Sequence, residues 1–452
     1  MRLELLGGGG VRVPHLVYRV LAFKERLDLE EILLYDVDRR RAELMAALCT
    51  ALARRRGVEL PLRILDRPGG GGPVDFVLTA IRPGLDAGRA RDERLCREAG
   101  LLGQETTGAC GFLMALRTVG PLTDAVLRSL DTSPDAWVLN FTNPAGIMTE
   151  ALGQHGVARA LGLCDTPSHL LQEVENGLGL GPDGLDAHYF GLNHLGFFTA
   201  LLDSEGRDRL PDLLKDYERL AERIDTLRYF PAEIVRAIGS LPVEYVHFYL
   251  DRTGTLARQA RSEGRGGQIE GLNRTLWQAV ADDMPGRPDA ALDAYVKAMA
   301  TRSATYLQAE TGTARTQPAE WQTYLEEPGY EVVALRVIAA LRGQGEARLL
   351  LDVAGGGAAV GAPAGEVYET SVLVDSAGVH VRPITPPSEW VRGLVGAVKA
   401  YERLTLRAAA EPTRETLLAA LTAHPLVADV PSAIALLDKA RAAGVEVVAG
   451  AA

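Results

Sequence analysis

A thiol at Cys164 and an imidazole at His194 are the side chains in this sequence best suited to catalysis. Each lies at the end of a short apolar run, VARALGLC and YFGLNH, that reads as a strand. In an open α/β sheet, ligands bind beyond the carboxyl ends of the strands, so both positions fall where a site is expected. A thiolate with a neutral imidazole suits a borderline divalent ion such as manganese, iron, cobalt, nickel or zinc. Two protein ligands leave positions open for substrate oxygens and water, which serves catalysis better than structure. The plainer alternative is a core thiol and a hydrogen-bonded core histidine.

Polar groups surround this pair. Arg89 and Arg91, in IRPGLDAGRARDE, precede a mixed-charge helix, and their plainer reading is a solvated face. Glu105 lies in the turn GQETTG, where a carboxylate either caps the next helix or serves a site. Asn143 precedes a proline and so takes an extended or turn conformation. Its amide suits substrate hydroxyls, or simply the turn. Tyr245, in VEYVHFYL, has the aromatic spacing of a core segment. A tyrosine titrates near 10, so as a base it needs an activating neighbour, which a metal-linked site provides.

These residues need a scaffold of alternating strands and helices. RLELL is a strand, GGGG a turn, residues 14–26 a helix, and EEILLYDVD a second strand ending in acid. That order is the dinucleotide-binding pattern. Gly7, Gly8, Gly9 and Gly10 let the backbone approach a pyrophosphate at the helix N-terminus, and Asp36 accepts from the adenosine ribose. PVDFVLTAI, AWVLNF and VARALGLC continue the strands, with helices over 90–100 and 108–119. The predicted fold is α/β: a Rossmann-like doubly wound parallel sheet over residues 1–165, then a mixed α+β region over 166–452, as in lactate and malate dehydrogenases. In the second region YFGLNHLGFFTALL reads as strand–turn–strand and 208–240 and 273–300 as helical. EVYETSVLVDSAGVHVRPI reads as a hairpin, and the chain from Ser388 as helices.

Composition narrows the function. A net charge of −11 argues against a nucleic-acid surface. The four cysteines form no CxxC pair or disulfide framework. No apolar run reaches the roughly 18 residues that span a bilayer, and MRLELLGGGG lacks the features of a secretory signal. The expectation is a cytoplasmic protein with no membrane or nucleic-acid partner.

Taken in order, GGGGVRVPHL, LYDVD, IRPGLDAGRARDE, GQETTG, NFTNPAGI, GLCDTP and GLNHLGF resemble glycoside hydrolase family 4, the NAD- and metal-dependent glycosidases. The likeness runs to the late segment AHPLVADVPSAIALLD and is greatest to the 6-phospho-β-glucosidases. It implies NAD, a divalent metal (manganese first), a homodimer or homotetramer, and a phosphorylated disaccharide or aryl 6-phosphoglucoside as substrate. It also implies a redox-assisted elimination, in which NAD oxidises the sugar at C3, a tyrosine removes the C2 proton, the C1 oxygen leaves, water adds and NADH returns the hydride. This family stands outside the usual two-carboxylate scheme. By resemblance, Cys164 and His194 hold the metal, Tyr245 is the base, Glu105 raises its basicity, and Arg89, Asn143 and Arg265 contact the substrate.

Three departures qualify the likeness. GACG stands where the family has GPGG, and the glycine turn lacks the serine that usually follows. Asp165, after the metal cysteine, matches the 6-phospho-α-glucosidases, where it is the general acid; the β enzymes carry asparagine. The α anomer is therefore the close alternative, and an NAD-dependent 2-hydroxy-acid dehydrogenase the distant one.

Overall fold

RLELL, EILLY and FVLT are apolar on both faces, as strands between two helical layers must be. The computed structural model describes residues 1–312, 324–325, 329–427, 429–445 and 448. In it these runs form β1 (Arg2–Leu6), β2 (Glu31–Tyr35) and, after a short edge strand β3 (Leu62–Ile64), β4 (Phe76–Thr79). β5 (Trp137–Asn140) and β6 (Ala160–Gly162) complete a parallel set in the order β3-β2-β1-β4-β5-β6. This is the doubly wound dinucleotide-binding order. All six strands end on one edge, so the turns after β1, β2, β4, β5 and β6 converge there.

The sheet does not stop at β6. β7 (Asp186–Leu192), β8 (Leu195–Leu202) and β9 (Leu241–Pro242) are joined to it through β10 (Ala347–Ala354) and β11 (Val367–Asp375), all antiparallel, with β12 (Gly378–Val381) beside β11. Among the described residues twelve strands thus form one sheet, and β10 meets β6 where Asp352 pairs with Gly162.

Several helices differ from expectation. The first is Val13–Ala22, and the run from residue 108 continues through Pro121 to Leu130. By length and composition this second helix could cross a membrane, yet 61% of its apolar window is buried, where Phe112, Leu113, Leu116 and Val126 enter the core. The 208–240 region is broken into short helices, Leu210–Lys215, Tyr217–Leu220 and Ala232–Ile238, with Pro231 and a left-handed Gly239 as punctuation. The long run near 273–300 is two helices, Arg265–Asp283 and Pro288–Ala304, the second opening on its proline.

The β6–β10 joint carries an unusual charge array. Asp352 is 0% exposed, and neither carboxylate oxygen has a hydrogen-bond partner. Glu369 lies opposite on β11, Glu402 and Lys399 face it from the helix Glu389–Ala410, and Lys399 also pairs with Glu150 at 2.9 Å. Burial, then Glu402, pushes the Asp352 carboxyl up to about 7, against the pull of Lys399. A raised carboxyl binds its proton more tightly when folded, so it costs nothing below the unfolded value near 4. The cost grows as pH rises towards 7 and is constant above it. Asp352→Asn is therefore expected to match the parent's melting temperature near pH 4 and to exceed it by roughly a few degrees at pH 8. Equal shifts at both pH values in thermal unfolding would disprove this.

Candidate active site

The convergent strand ends open into one cleft of about 900 Å³. It is walled on the far side by the helices Arg265–Asp283 and Pro288–Ala304. Gly7, Gly9, Gly10, Asp36, Arg89, Glu105, Asn143, Cys164, Asp165, His194, Tyr245 and Arg265 all line it. Gly8 does not; it sits behind the turn, where a Cβ would fall 2.8 Å from that of Leu34.

The glycine turn follows β1 directly. Gly7 has φ +98°, and a Cβ there would lie 2.5 Å from the Ala80 carbonyl oxygen, so only glycine fits. The Gly9 N–H donates to Asp36 Oδ2 at 2.9 Å, and the Asp38 N–H to Oδ1 at 2.9 Å. The acid at the end of β2 thus braces the turn while its remaining lone pairs face the cleft. Asp38 in turn caps the helix Arg39–Arg55 through the Arg41 N–H.

Arg89, on the helix Leu85–Glu98, is not on a solvated face. It is buried, with Nη1 2.6 Å from Glu105 and Nε 2.7 Å from Glu93. Arg82, on the loop after β4, holds the other Glu105 oxygen at 2.6 Å. Glu105 therefore does not cap the helix Gly108–Leu130. Burial raises its carboxyl, but Arg82, Arg89, Arg302 and His194 outweigh that and bring it down to about 2. It is an anion at any working pH. Gln104 shapes the turn instead, its Oε1 accepting from the Thr106 and Thr107 N–H groups at 2.9 and 2.8 Å. Gln259 bonds both polar groups of Gly103 at 3.0 Å.

At the end of β5, Asn140 is fully buried. Its Oδ1 accepts from Thr79 and the Thr142 N–H, and its Nδ2 donates to the Thr142 and Ala145 carbonyls. Asn140 thereby fixes the loop that presents Asn143, whose bond to Pro144 is cis. Asn193 secures the next turn by accepting from the Ala145 N–H at 3.1 Å.

His194 occupies the two-residue tip between β7 and β8, with φ +65°. Backbone strain of this kind at a non-glycine residue marks a position whose orientation matters. Its Nδ1 lies 2.7 Å from Thr106 Oγ1, which leaves Nε2 for another partner. Burial pulls the imidazole down to about 4, against Asp165 and Glu105, so it is neutral near pH 7. Tyr245 stacks on it, ring centres 3.9 Å apart and 3° from parallel. Burial pushes the Tyr245 hydroxyl well up, Tyr306 opposes this, and Glu244, Cys164 and Glu105 add to it.

Cys164 follows β6 and is buried, which raises its thiol; Glu369 and Asp165 push the same way, while Thr166 opposes. Asp165 takes the N-cap position of the helix Thr166–Gly177 without accepting a capping bond. Among the described residues, no group of three or more His, Cys, Asp or Glu could hold a metal alone. The thiol and the free Nε2 still fit a divalent ion whose other positions are filled by substrate oxygens. Arg265 also faces the cleft, but its Nη1 donates to Thr305 Oγ1 and its Nη2 to the Arg302 carbonyl, both at 2.6 Å.

A dinucleotide turn, an imidazole–thiol pair and a stacked tyrosine on one sheet edge define a nucleotide-dependent enzyme built on a Rossmann-like sheet. The model of the family 4 glycosyl hydrolases matches residues 2–180, and that of their C-terminal domain residues 189–427. The chain belongs to this family. It is 27% identical over 443 residues to the 6-phospho-beta-glucosidase of Escherichia coli K12, covering 94% of this chain and 91% of that one. A phospho-alpha-glucosidase of Clostridium acetobutylicum is 36% identical over 214 residues, 46% of this chain and 48% of its own length. Among solved structures, the 6-phospho-beta glucosidase of Thermotoga maritima with manganese, NAD+ and glucose-6-phosphate superposes with a TM-score of 0.80, at 26% identity and 98% coverage of both chains.

Proposed function

We propose that the chain is a cytoplasmic, homo-oligomeric 6-phospho-β-glucosidase that works with NAD and a divalent metal, manganese first. Residues 1–165 would carry the cofactor, and the remainder would contribute the tyrosine, the imidazole and the second wall. One observation carries the reading: Cys164, His194 and Tyr245 share a single cleft with the glycine turn and Asp36. The relatives named above act on phosphorylated glucosides and include a structure holding manganese, NAD+ and glucose-6-phosphate.

When bound, the metal and NAD together supply the acidity of the sugar's C2–H, through reversible oxidation at C3 and a Lewis acid at the neighbouring oxygens. Cys164 Sγ and His194 Nε2 would hold the ion, and Thr106 orients the imidazole through Nδ1. Tyr245, fixed against that imidazole, takes the C2 proton on its phenolic oxygen. Glu105 places a permanent negative charge nearby, and Arg89, anchored by Glu105 and Glu93, orients sugar oxygens with its remaining donors. Asp165, whose side chain accepts no capping bond, would give a proton to the leaving oxygen.

A second reading, 6-phospho-α-glucosidase, is favoured by Asp165 and by the 36% identity to the phospho-alpha-glucosidase. The deciding experiment uses 4-nitrophenyl 6-phospho-β-glucoside and its α anomer, each with and without Mn²⁺ and NAD, under reducing conditions. Turnover of the β compound only with both additives is the expected result. Turnover of the α compound alone would replace the first reading with the second. Net NADH accumulation without hydrolysis would reject both.

A further inference from the structure

The cleft holds more positive charge than the roles above use. Arg302 projects from the last turn of the helix Pro288–Ala304 and lines the cleft. Among the described residues its guanidinium makes no ion pair. Among the described residues, the charged groups that weigh most on it are three more guanidiniums, Arg12, Arg82 and Arg89, and the Glu105 carboxylate. Glu105 spreads a single negative charge over these guanidiniums, its two oxygens lying 2.6 Å from Arg82 and Arg89. Arg82 Nη1 is buried with no hydrogen-bond partner and stands 4.0 Å from Asp86. Arg265 spends two donors holding Thr305 and the Arg302 carbonyl, so it fixes the backbone that presents Arg302.

Like charges gathered in a partly desolvated cleft raise the free energy of the empty protein, and an anion relieves it. Burial, then Arg12, Arg82 and Arg89, pulls the Arg302 guanidinium down to about 9, against Glu105. Arginine's planar fork matches the oxygens of a phosphate ester with two parallel hydrogen bonds.

We propose that Arg302, flanked by Arg12 and Arg82, grips a phosphate ester in this cleft, with Arg265 as its positioning residue. Two phosphates enter the cleft on the reading above, on which this rests: that of the sugar and the pyrophosphate of the dinucleotide. Arg82 and Arg89 lie on the Glu105 side, whereas Arg12 follows the glycine turn. The experiment separates the two sources.

Thermal unfolding and titration of the full chain with glucose 6-phosphate, glucose and NAD, each alone, compare the parent with Arg302→Gln and Arg302→Lys. The expected result is a parent shift with glucose 6-phosphate that glucose does not give. Arg302→Gln should weaken glucose 6-phosphate by about tenfold or more, Arg302→Lys should recover part of it, and NAD binding should be unchanged. Loss of NAD affinity with glucose 6-phosphate retained would assign the same guanidinium to the pyrophosphate. Because repulsion is removed, free Arg302→Gln should melt no lower than the parent. Retention of both affinities, no binding of either ligand by the parent, or a lower melting temperature for free Arg302→Gln would each overturn the proposal. An absence of glycoside turnover by the parent would remove the hydrolase reading and leave the phosphate result standing.

Discussion

Cys164→Ser is expected to lower metal-dependent kcat/KM by about a thousandfold or more, while NAD binding stays within about twofold. The thiol follows β6 and is buried beside Asp165 and Thr166, so the hydroxyl fits the space without disturbing the fold. What changes is donor softness. A serine hydroxyl does not ionise at neutral pH and is a poor ligand for a borderline divalent ion, leaving His194 Nε2 as the only other assigned protein donor. Manganese affinity, measured by titration under reducing conditions, should fall in parallel with activity. Full activity in the serine variant would remove Cys164 from the site, and lost NAD binding would indicate a collapsed cleft.

Tyr245→Phe carries the second large effect. Phenylalanine keeps the ring that stacks on His194 at 3.9 Å and removes only the phenolic oxygen. If that oxygen takes the C2 proton, exchange of the sugar's C2 hydrogen with deuterated solvent should slow by about 10²- to 10⁴-fold. Glucose 6-phosphate affinity should stay nearly constant, since the loss belongs to the proton-transfer step. Unchanged exchange would identify another base.

The parallel half was legible because its strands are apolar on both faces and each ends in a turn or polar signal. GGGG, Asp36, Asn143 and Cys164 each follow such a run, and all of them except Gly8 line the cleft. Asn140 was visible only as a strand end; that it holds the Asn143 loop depends on Thr79, which no local pattern connects to it. β10, ARLLLDVA, was missed, and with it the continuation of the sheet, since an apolar octet names no partner strand. Arg302 lay beyond reach for a similar reason. It sits in an ordinary helical run, and its meaning comes from guanidiniums some two to three hundred residues earlier in the chain. The placement of Glu105 between Arg82 and Arg89 was likewise hidden, because GQETTG alone reads as a helix entry.

The β6–β10 joint has a consequence for solubility. A chain ending at residue 165 would leave β6 with no neighbour on its outer side, presenting unsatisfied N–H and C=O groups next to the apolar β5. Such an edge recruits other strands, including those of identical chains. The antiparallel half therefore shields this edge of the dinucleotide sheet from self-association, beyond anything it contributes to the cleft.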